Sequence, residues 1–141
     1  MSPPAGRIAS VAAGYPEPHR TVGPASPAIL VVDDEPSIVD VIAFLLEDEG
    51  YRVLRAYDGE QAWGIVSARC PDLIISDVYM PHLNGLDFLK RLRRRPPLSR
   101  IPVILMSAAR RDLIVPNAAF VAKPFDLERM LSLVNAALAT R

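Results

Sequence analysis

Four short apolar segments of this sequence each end in polar side chains that can bind ions or take part in catalysis. Asp33 and Asp34 follow the first segment, and Asp77 follows a later one. Ser107 and Lys123 follow two more. If these segments are neighbouring parallel strands, their carboxyl ends lie at one edge of a sheet, and the polar groups converge in one crevice.

Three carboxylates in one pocket repel one another, which raises their pKa values or requires a counter-ion. A hard divalent cation with oxygen ligands relieves this repulsion, and Mg²⁺ is the cellular candidate. A lysine and a hydroxyl beside the carboxylates complete a site suited to a phosphoryl group. The cations neutralise its oxygens, the hydroxyl donates a hydrogen bond, and a carboxylate attacks the phosphorus atom.

The apolar segments are continuous rather than alternating, which is typical of strands buried on both faces of a parallel sheet. Three of them span residues 28–32, 73–76 and 102–106, while 51–56 indicates an edge strand and 120–122 a short fifth strand. Helical patterns alternate with the strands, and the order βαβαβαβαβα predicts a doubly wound parallel sheet with right-handed crossovers. The first helix is expected between Pro36 and Gly50, and a second over Gly59–Ala68. Leu86, Leu89 and Leu92 form the apolar stripe of a third, and Asp126 is the expected N-cap of the last.

Length and charge exclude several classes of protein. The chain has 141 residues, enough for one domain, and its formal net charge is zero, so no overall field attracts nucleic acid or an anionic membrane. Its apolar runs are far shorter than the roughly 20 residues that span a bilayer, and no signal peptide is evident. The single Cys70 cannot form an intrachain disulfide, which favours a cytoplasmic location.

Residues 1–27 differ in composition from the rest of the chain. They are rich in Pro, Ala, Gly and Ser, and neither a strand period nor a helix period runs through them. This composition predicts a disordered tail. The ordered domain is therefore expected to span residues 28–141.

Four stretches of the sequence resemble the motifs of the receiver domain of two-component response regulators, in particular the single-domain, chemotaxis-regulator type. They are ILVVDDEPSIVDVIAFLLEDEGYRV, LIISDVYMPHLNGLDFL, VILMSA and FVAKPF, and they occur in the family's order. The resemblance covers about residues 28–140. It implies a flavodoxin-like α/β fold whose five parallel strands have the order 2-1-3-4-5.

The resemblance also implies a role for each matching acidic residue. Asp77 is the expected phosphoacceptor and also a ligand of Mg²⁺. Asp34 is expected to bind the metal directly, and Asp33 to act on it through a water molecule. The backbone carbonyl of Tyr79 is the remaining expected protein ligand.

Three further positions match residues that the family uses during and after phosphorylation. Ser107 is expected to donate a hydrogen bond to one phosphoryl oxygen, and Lys123 to pair with another. Phe120 occupies the position of the switch aromatic, which turns inward when Ser107 moves.

The function implied is that of a stand-alone phosphoacceptor. A sensor histidine kinase or a phosphotransfer protein donates the phosphoryl group, and an unidentified downstream protein reads the changed surface. The domain would catalyse only its own phosphorylation and dephosphorylation, so it is not expected to be an enzyme with a diffusible substrate. Because the last helix reaches the end of the sequence, no output domain is expected after it. A phosphorylation-independent interaction module on the same fold is the alternative.

Each residue taken alone has a simpler explanation. Asp33 and Asp34 could cap the first helix, Asp77 could belong to a turn, and Phe120 could be a core residue. A phosphatase of the haloacid-dehalogenase type needs a second Asp two residues after its nucleophile, where this chain has Tyr79. A flavodoxin would have a phosphate loop rich in Ser, Thr and Gly after the first strand, where this chain has three acids.

The connection between Ser107 and Lys123 departs from the family's pattern. It is short by roughly one and a half helical turns, and Pro116 would interrupt a helix there. We therefore expect the family's fourth helix to be shortened, which puts the usual dimer and partner surface in doubt.

A run of basic residues begins within the third helical pattern and continues beyond it: Arg91, Arg93, Arg94, Arg95 and Arg100. The run has no interleaved aromatic residues, so nucleic-acid binding is a weak interpretation. A solvated helix end that complements the helix dipole is the favoured one. Trp63, on the preceding helix, is expected to be a packing residue.

Overall fold

The computed structural model describes residues 23–108, 116 and 118–139. Within these residues the chain forms five strands, four α-helices and one short 3₁₀ turn. In chain order they are β1 Ala28–Val32, α1 Pro36–Asp48, β2 Arg52–Ala56, α2 Gly59–Arg69, β3 Leu73–Asp77, α3 Gly85–Arg93, the 3₁₀ turn Leu98–Arg100, β4 Val103–Ser107, β5 Ala119–Ala122 and α4 Leu127–Ala139.

The five strands form one parallel sheet in the order β2-β1-β3-β4-β5. This confirms the predicted doubly wound, flavodoxin-like fold. Every residue of β1, β3 and β4 is buried, whereas β2 at the edge exposes Arg52 and Arg55. Continuous apolar sequence in the three central strands thus corresponds to burial on both faces of the sheet.

Helices on both sides of the sheet bury two separate apolar cores. On one side, residues of α1 and α4 such as Ile42 and Met130 pack against Ile29 and Ile75. On the other side, α2 and α3 pack against the strand residues that point the opposite way, such as Leu30 and Ile74, and Phe88 of α3 is fully buried there. Because successive strand residues point to opposite faces, every central strand contributes to both cores.

The first helix begins without a side-chain cap. Glu35 is its N-cap residue and makes no capping hydrogen bond, while Pro36 lies in the first turn as predicted. The N-cap position therefore belongs to Glu35 and not to Asp33 or Asp34. At the other end Gly50 has a φ of 93°, the left-handed conformation that glycine adopts most easily after a helix.

Two sequence predictions fall wholly or mainly outside the described residues. The shortened fourth helix of the family would lie between β4 and β5, where the structure describes Pro116, exposed in a turn, but not residues 109–115 or 117. Most of the predicted tail, residues 1–22, is also outside the described part.

Residues 23–27, which the sequence assigns to the tail, form a turn attached to the domain. Ser26 N–H donates to the Gly23 carbonyl over 3.0 Å, and Arg52 N–H donates to the Pro27 carbonyl over 2.9 Å. The turn therefore begins before the predicted boundary at Ala28. These are backbone contacts, which leave no apolar pattern in the sequence.

No described helix is both long and apolar enough to cross a membrane.

Candidate metal and phosphoryl site

The polar groups predicted at the strand ends lie together at the carboxyl edge of the sheet. Asp33 follows β1, Asp77 ends β3, Ser107 ends β4, and Lys123 follows β5. Asp33, Asp77 and Ser107 are all buried. Such burial of polar side chains is uncommon unless they have partners, and here Lys123 pairs with both aspartates.

Three carboxylates form a cluster at this edge. One oxygen from each of Asp33, Asp34 and Asp77 lies within 4.8 Å of the other two, and Asp34 is exposed to solvent. Hard carboxylate oxygens are the donors that Mg²⁺ prefers, and the exposed side allows the ion to keep water ligands. The residues present therefore fit a divalent cation.

Asp33 is the most constrained of the three acids, because both of its oxygens have partners. Its Oδ1 accepts the Glu35 backbone N–H over 2.9 Å, and its Oδ2 accepts Lys123 Nζ over 2.6 Å. The exposed Asp34 lies next to it in the chain. The two neighbouring acids therefore differ: Asp33 is held inside the protein by hydrogen bonds, and Asp34 is exposed to solvent.

Among the residues that the structure describes, Lys123 is the cation that pairs with these acids. Its Nζ lies 2.6 Å from Asp33 Oδ2 and 3.5 Å from Asp77 Oδ2. Burial alone would lower the pKa of Lys123, but the hydrogen bond and the charge of Asp33, with the charge of Asp77, outweigh burial and raise the pKa. The ammonium is therefore charged at neutral pH.

The surroundings of Asp77 raise the pKa of its carboxyl group. Burial raises the pKa of Asp77 from 3.8 to about 6, with a further contribution from the charge of Asp33 and a smaller one from Asp34. Lys123 opposes these effects without cancelling them. A bound divalent cation would favour the ionised carboxylate, which is the form that can act as a nucleophile.

The backbone around Asp77 is fixed by two residues whose contribution the sequence did not reveal. The buried hydroxyl of Ser76 donates to the Asp77 carbonyl over 2.9 Å. At Gly85 a Cβ atom would overlap the same carbonyl oxygen, and the Gly85 N–H donates to the Val78 carbonyl over 2.7 Å. Gly85 belongs to the stretch LIISDVYMPHLNGLDFL, which resembles a family motif, but the sequence does not show its contact with Asp77.

The remaining predicted residues lie around the same edge. Tyr79 is 49% exposed in the loop between β3 and α3. Ser107 pairs with Ala122 across the sheet, and its carbonyl accepts the Lys123 N–H over 3.0 Å. Phe120, in β5, is half-buried and packs against the core on the α2 and α3 side. The metal role of the Tyr79 carbonyl and the switch role of Phe120 stay predictions.

Comparison with known proteins gives the family. The chain matches the response regulator receiver domain over residues 29–135. It is 39% identical over 119 residues to the response regulator GtcR of Aneurinibacillus migulanus. The aligned region covers 80% of this chain and 48% of GtcR. The chain therefore belongs to the receiver-domain family of two-component response regulators.

Solved structures agree with this assignment. The chemotaxis response regulator CheY4 of Vibrio cholerae has a TM-score of 0.75 and 29% identity, with 81% of this chain and 100% of that chain covered. The receiver domain of a signal transduction histidine kinase from Syntrophus aciditrophicus has a TM-score of 0.73 and 31% identity. The match covers 82% of this chain and 92% of that chain. The chain spans about half the length of the curated relatives it matches.

Proposed function

We propose that this domain accepts a phosphoryl group on Asp77 from a phosphohistidine of a sensor histidine kinase or a phosphotransfer protein. The observation that carries the proposal is the carboxylate cluster, whose three oxygens lie within 4.8 Å of one another, with Lys123 Nζ 3.5 Å from Asp77 Oδ2. One ammonium does not balance three carboxylates, whereas a divalent cation and an ammonium together do. That combination of charges suits a phosphoryl group.

The expected metal is Mg²⁺. Asp34 and Asp77 would bind it directly, with the Tyr79 carbonyl, and Asp33 would act through water. This division is supported by the exposure of Asp34 and by the two hydrogen bonds that already occupy the oxygens of Asp33. When bound, the ion supplies positive charge that neutralises phosphoryl oxygens.

Asp77 performs the chemistry as a nucleophile. One of its carboxylate oxygens attacks the phosphorus atom, an O–P bond forms, and the P–N bond to the donor histidine breaks. The imidazole leaves with the electron pair of that bond and takes up a proton. Lys123 pairs with one phosphoryl oxygen, and the Ser107 hydroxyl donates a hydrogen bond to another.

The phosphorylated state ends by hydrolysis. Water attacks the same phosphorus atom, the O–P bond to Asp77 breaks, and the products are inorganic phosphate and the free carboxylate. The domain would thus turn over only its own phosphoryl group, without a diffusible substrate of the kind an enzyme has.

The signal would reach a partner protein through β5. Lys123 N–H is bonded to the Ser107 carbonyl, and Ser107 pairs with Ala122 at the end of β5. A movement of Ser107 toward the phosphoryl group would therefore pull on the strand that carries Phe120. We expect this exchange to take place in the cytoplasm, with a protein partner and not with nucleic acid or a membrane.

Labelling by acetyl phosphate tests the proposal. With Mg²⁺, intact-mass spectrometry should show one phosphoryl group on the wild type and none on Asp77→Asn, and chelation of the metal should prevent the reaction. Asp87→Asn, which removes an exposed acid on α3, is the matched control and should be labelled like the wild type. Equal labelling of Asp77→Asn and the control would refute the assignment.

The alternative, a phosphorylation-independent interaction module, was suggested by the segment between β4 and β5, most of which lies outside the described residues. Labelling of Asp77 would decide against it.

A further inference from the structure

The C-terminal end of α3 carries a concentrated positive charge that the phosphoryl chemistry does not use. Residues 90–100 contain six basic residues and no acid. Two of them lie in the last turn of α3, and two more follow directly after it. These four residues, called the arginine patch below, are Lys90, Arg91, Arg94 and Arg95.

Two guanidinium groups of the arginine patch are held by an aromatic ring from the neighbouring helix. Arg91 Cζ lies 5.0 Å and Arg95 Cζ 5.4 Å from the centre of the Trp63 ring. Trp63 is itself fixed edge-on against the buried Phe88 at 6.4 Å. The aromatic residue that the basic run lacks in sequence is thus supplied by α2, and it restricts the freedom of both arginines.

The acids nearby do not balance this charge. In the part of the chain that the structure describes, the one carboxylate within ion-pair distance of the arginine patch is Glu60, 4.0 Å from Arg91 and 60% exposed. Lys90, Arg94 and Arg95 are exposed. The helix dipole favours cations in a last turn, but it does not require two arginines to lie on a tryptophan.

We propose that the arginine patch binds an acidic segment of a partner protein. Guanidinium groups held in fixed orientations suit carboxylates, because each can donate two parallel hydrogen bonds. Their restricted freedom lowers the entropy lost on binding. A helix with two carboxylates four residues apart matches the spacing of Arg91 and Arg95.

A protein segment fits this patch better than nucleic acid does. Arg91 and Arg95 already lie against Trp63, so its ring does not provide the open stacking surface that single-stranded nucleic acid uses. The chain is neutral overall, and a long polyanion gains most of its affinity from summed charge. A short acidic segment needs only the local charge of the patch.

The arginine patch is remote from Asp77 along α3. The N-terminal residue of α3, Gly85, lies against the Asp77 backbone, whereas the patch lies at and just beyond the other end of the nine-residue helix. At 1.5 Å per residue the two ends are about 12 Å apart. Binding at the patch is therefore compatible with phosphoryl transfer at the site.

Anisotropy of a fluorescently labelled peptide tests the proposal with the full chain. The probe is an alanine-based helical peptide with Glu pairs four residues apart, and its control has Gln at the same positions. We expect saturable binding of the Glu peptide only, weakened at least about tenfold by Arg95→Glu because attraction becomes repulsion. Arg129→Glu makes the same charge change on the exposed face of α4 and should bind within about twofold of the wild type, since charges farther away than about 8 Å are largely screened at physiological salt.

The other outcomes contradict the proposal. If neither peptide binds, or if both bind equally well, the arginine patch is only a solvated helix end. The same conclusion holds if Arg95→Glu and Arg129→Glu weaken binding of the Glu peptide equally. Displacement of the Glu peptide by a duplex DNA at lower concentration would show a nucleic-acid surface. Thermal melting of each variant verifies that a lost signal is not lost folding.

Discussion

The two ends of β3 each carry an aspartate, and the fold uses them in opposite ways. Just before the amino end, Asp72 accepts the Ala28 N–H through Oδ2 over 2.8 Å, while its own N–H donates to the Ala28 carbonyl over the same distance. At the carboxyl end, Asp77 is buried beside two more carboxylates, and its pKa is raised to about 6. A carboxylate that accepts a backbone hydrogen bond stabilises the folded state, whereas a carboxylate buried beside other carboxylates destabilises it.

This difference indicates where the protein gives up stability for chemistry. A raised carboxyl pKa means that the folded state resists ionisation, so the charged form of Asp77 lowers the free energy of unfolding. A cation removes that penalty. The crowded end is therefore expected to gain stability from a bound metal and from neutralising substitutions. The Asp72 end is expected to lose stability when its carboxylate is removed, and to lose the same amount with and without metal.

The largest effect is expected from loss of the Lys123 ammonium. Lys123→Met should lower the free energy of unfolding by about 3–5 kcal/mol in EDTA, because the buried Asp33 then loses its charged partner. Urea unfolding measures this change, and Mg²⁺ should restore part of it. Lys90→Met, on an exposed side chain, is the control and should stay within about 0.5 kcal/mol. Similar losses in the two variants would show that Lys123 does not compensate the carboxylates.

Asp77→Asn should stabilise the metal-free protein. The pKa rises from 3.8 in the unfolded chain to about 6 in the folded one, so the wild type loses stability as pH rises between these values. Two pH units correspond to about 3 kcal/mol. In EDTA the variant should therefore be more stable than the wild type by about 3 kcal/mol at pH 8, with the gain fading toward pH 4. A pH-independent difference between the two proteins would contradict the raised pKa.

Asp34→Ala should remove most of the stabilisation that Mg²⁺ gives. At a Mg²⁺ concentration about 100-fold above its Kd, a folded-state ligand adds about 2.7 kcal/mol, and losing a direct ligand weakens binding. Differential scanning calorimetry with and without Mg²⁺ measures this gain. Asp40→Ala, on the exposed surface of α1, should keep the full gain. An undiminished gain in Asp34→Ala would refute its role as a ligand.

The smallest effect is expected at the amino end of the strand. Asp72→Ala should cost about 1–2 kcal/mol, because one hydrogen bond from the Ala28 backbone is lost. The loss should be the same in EDTA and in Mg²⁺, as chemical unfolding under both conditions would show. A Mg²⁺-dependent loss would mean that the two ends of β3 are coupled.

The sequence was sufficient for most of the fold because the central strands are apolar throughout and the helices have apolar stripes. It was also sufficient to bring Asp33, Asp77, Ser107 and Lys123 to one edge, since each follows or ends a strand. This argument needs only the rule that parallel strands place their carboxyl ends together.

Contacts that depend on the third dimension could not be predicted. Adjacent acids look alike in a sequence, and only the backbone after β1 turns Asp33 inward and leaves Asp34 exposed. The stacking of Arg91 and Arg95 on Trp63 joins two helices and follows no period. The contact of Gly85 with the Asp77 carbonyl likewise depends on how closely α3 approaches β3.

The central claim is that crowding at Asp77, relieved by a cation, makes this edge of the sheet a phosphoryl site. A site-resolved NMR titration of the Asp77 carboxyl carbon, with and without Mg²⁺, tests it most directly. We predict a pKa of about 6 in the metal-free protein and a clear decrease when Mg²⁺ is present, while the carboxyl carbon of Asp72 is unaffected by the metal. A pKa near the ordinary value of about 3.9 that Mg²⁺ does not change would contradict the account.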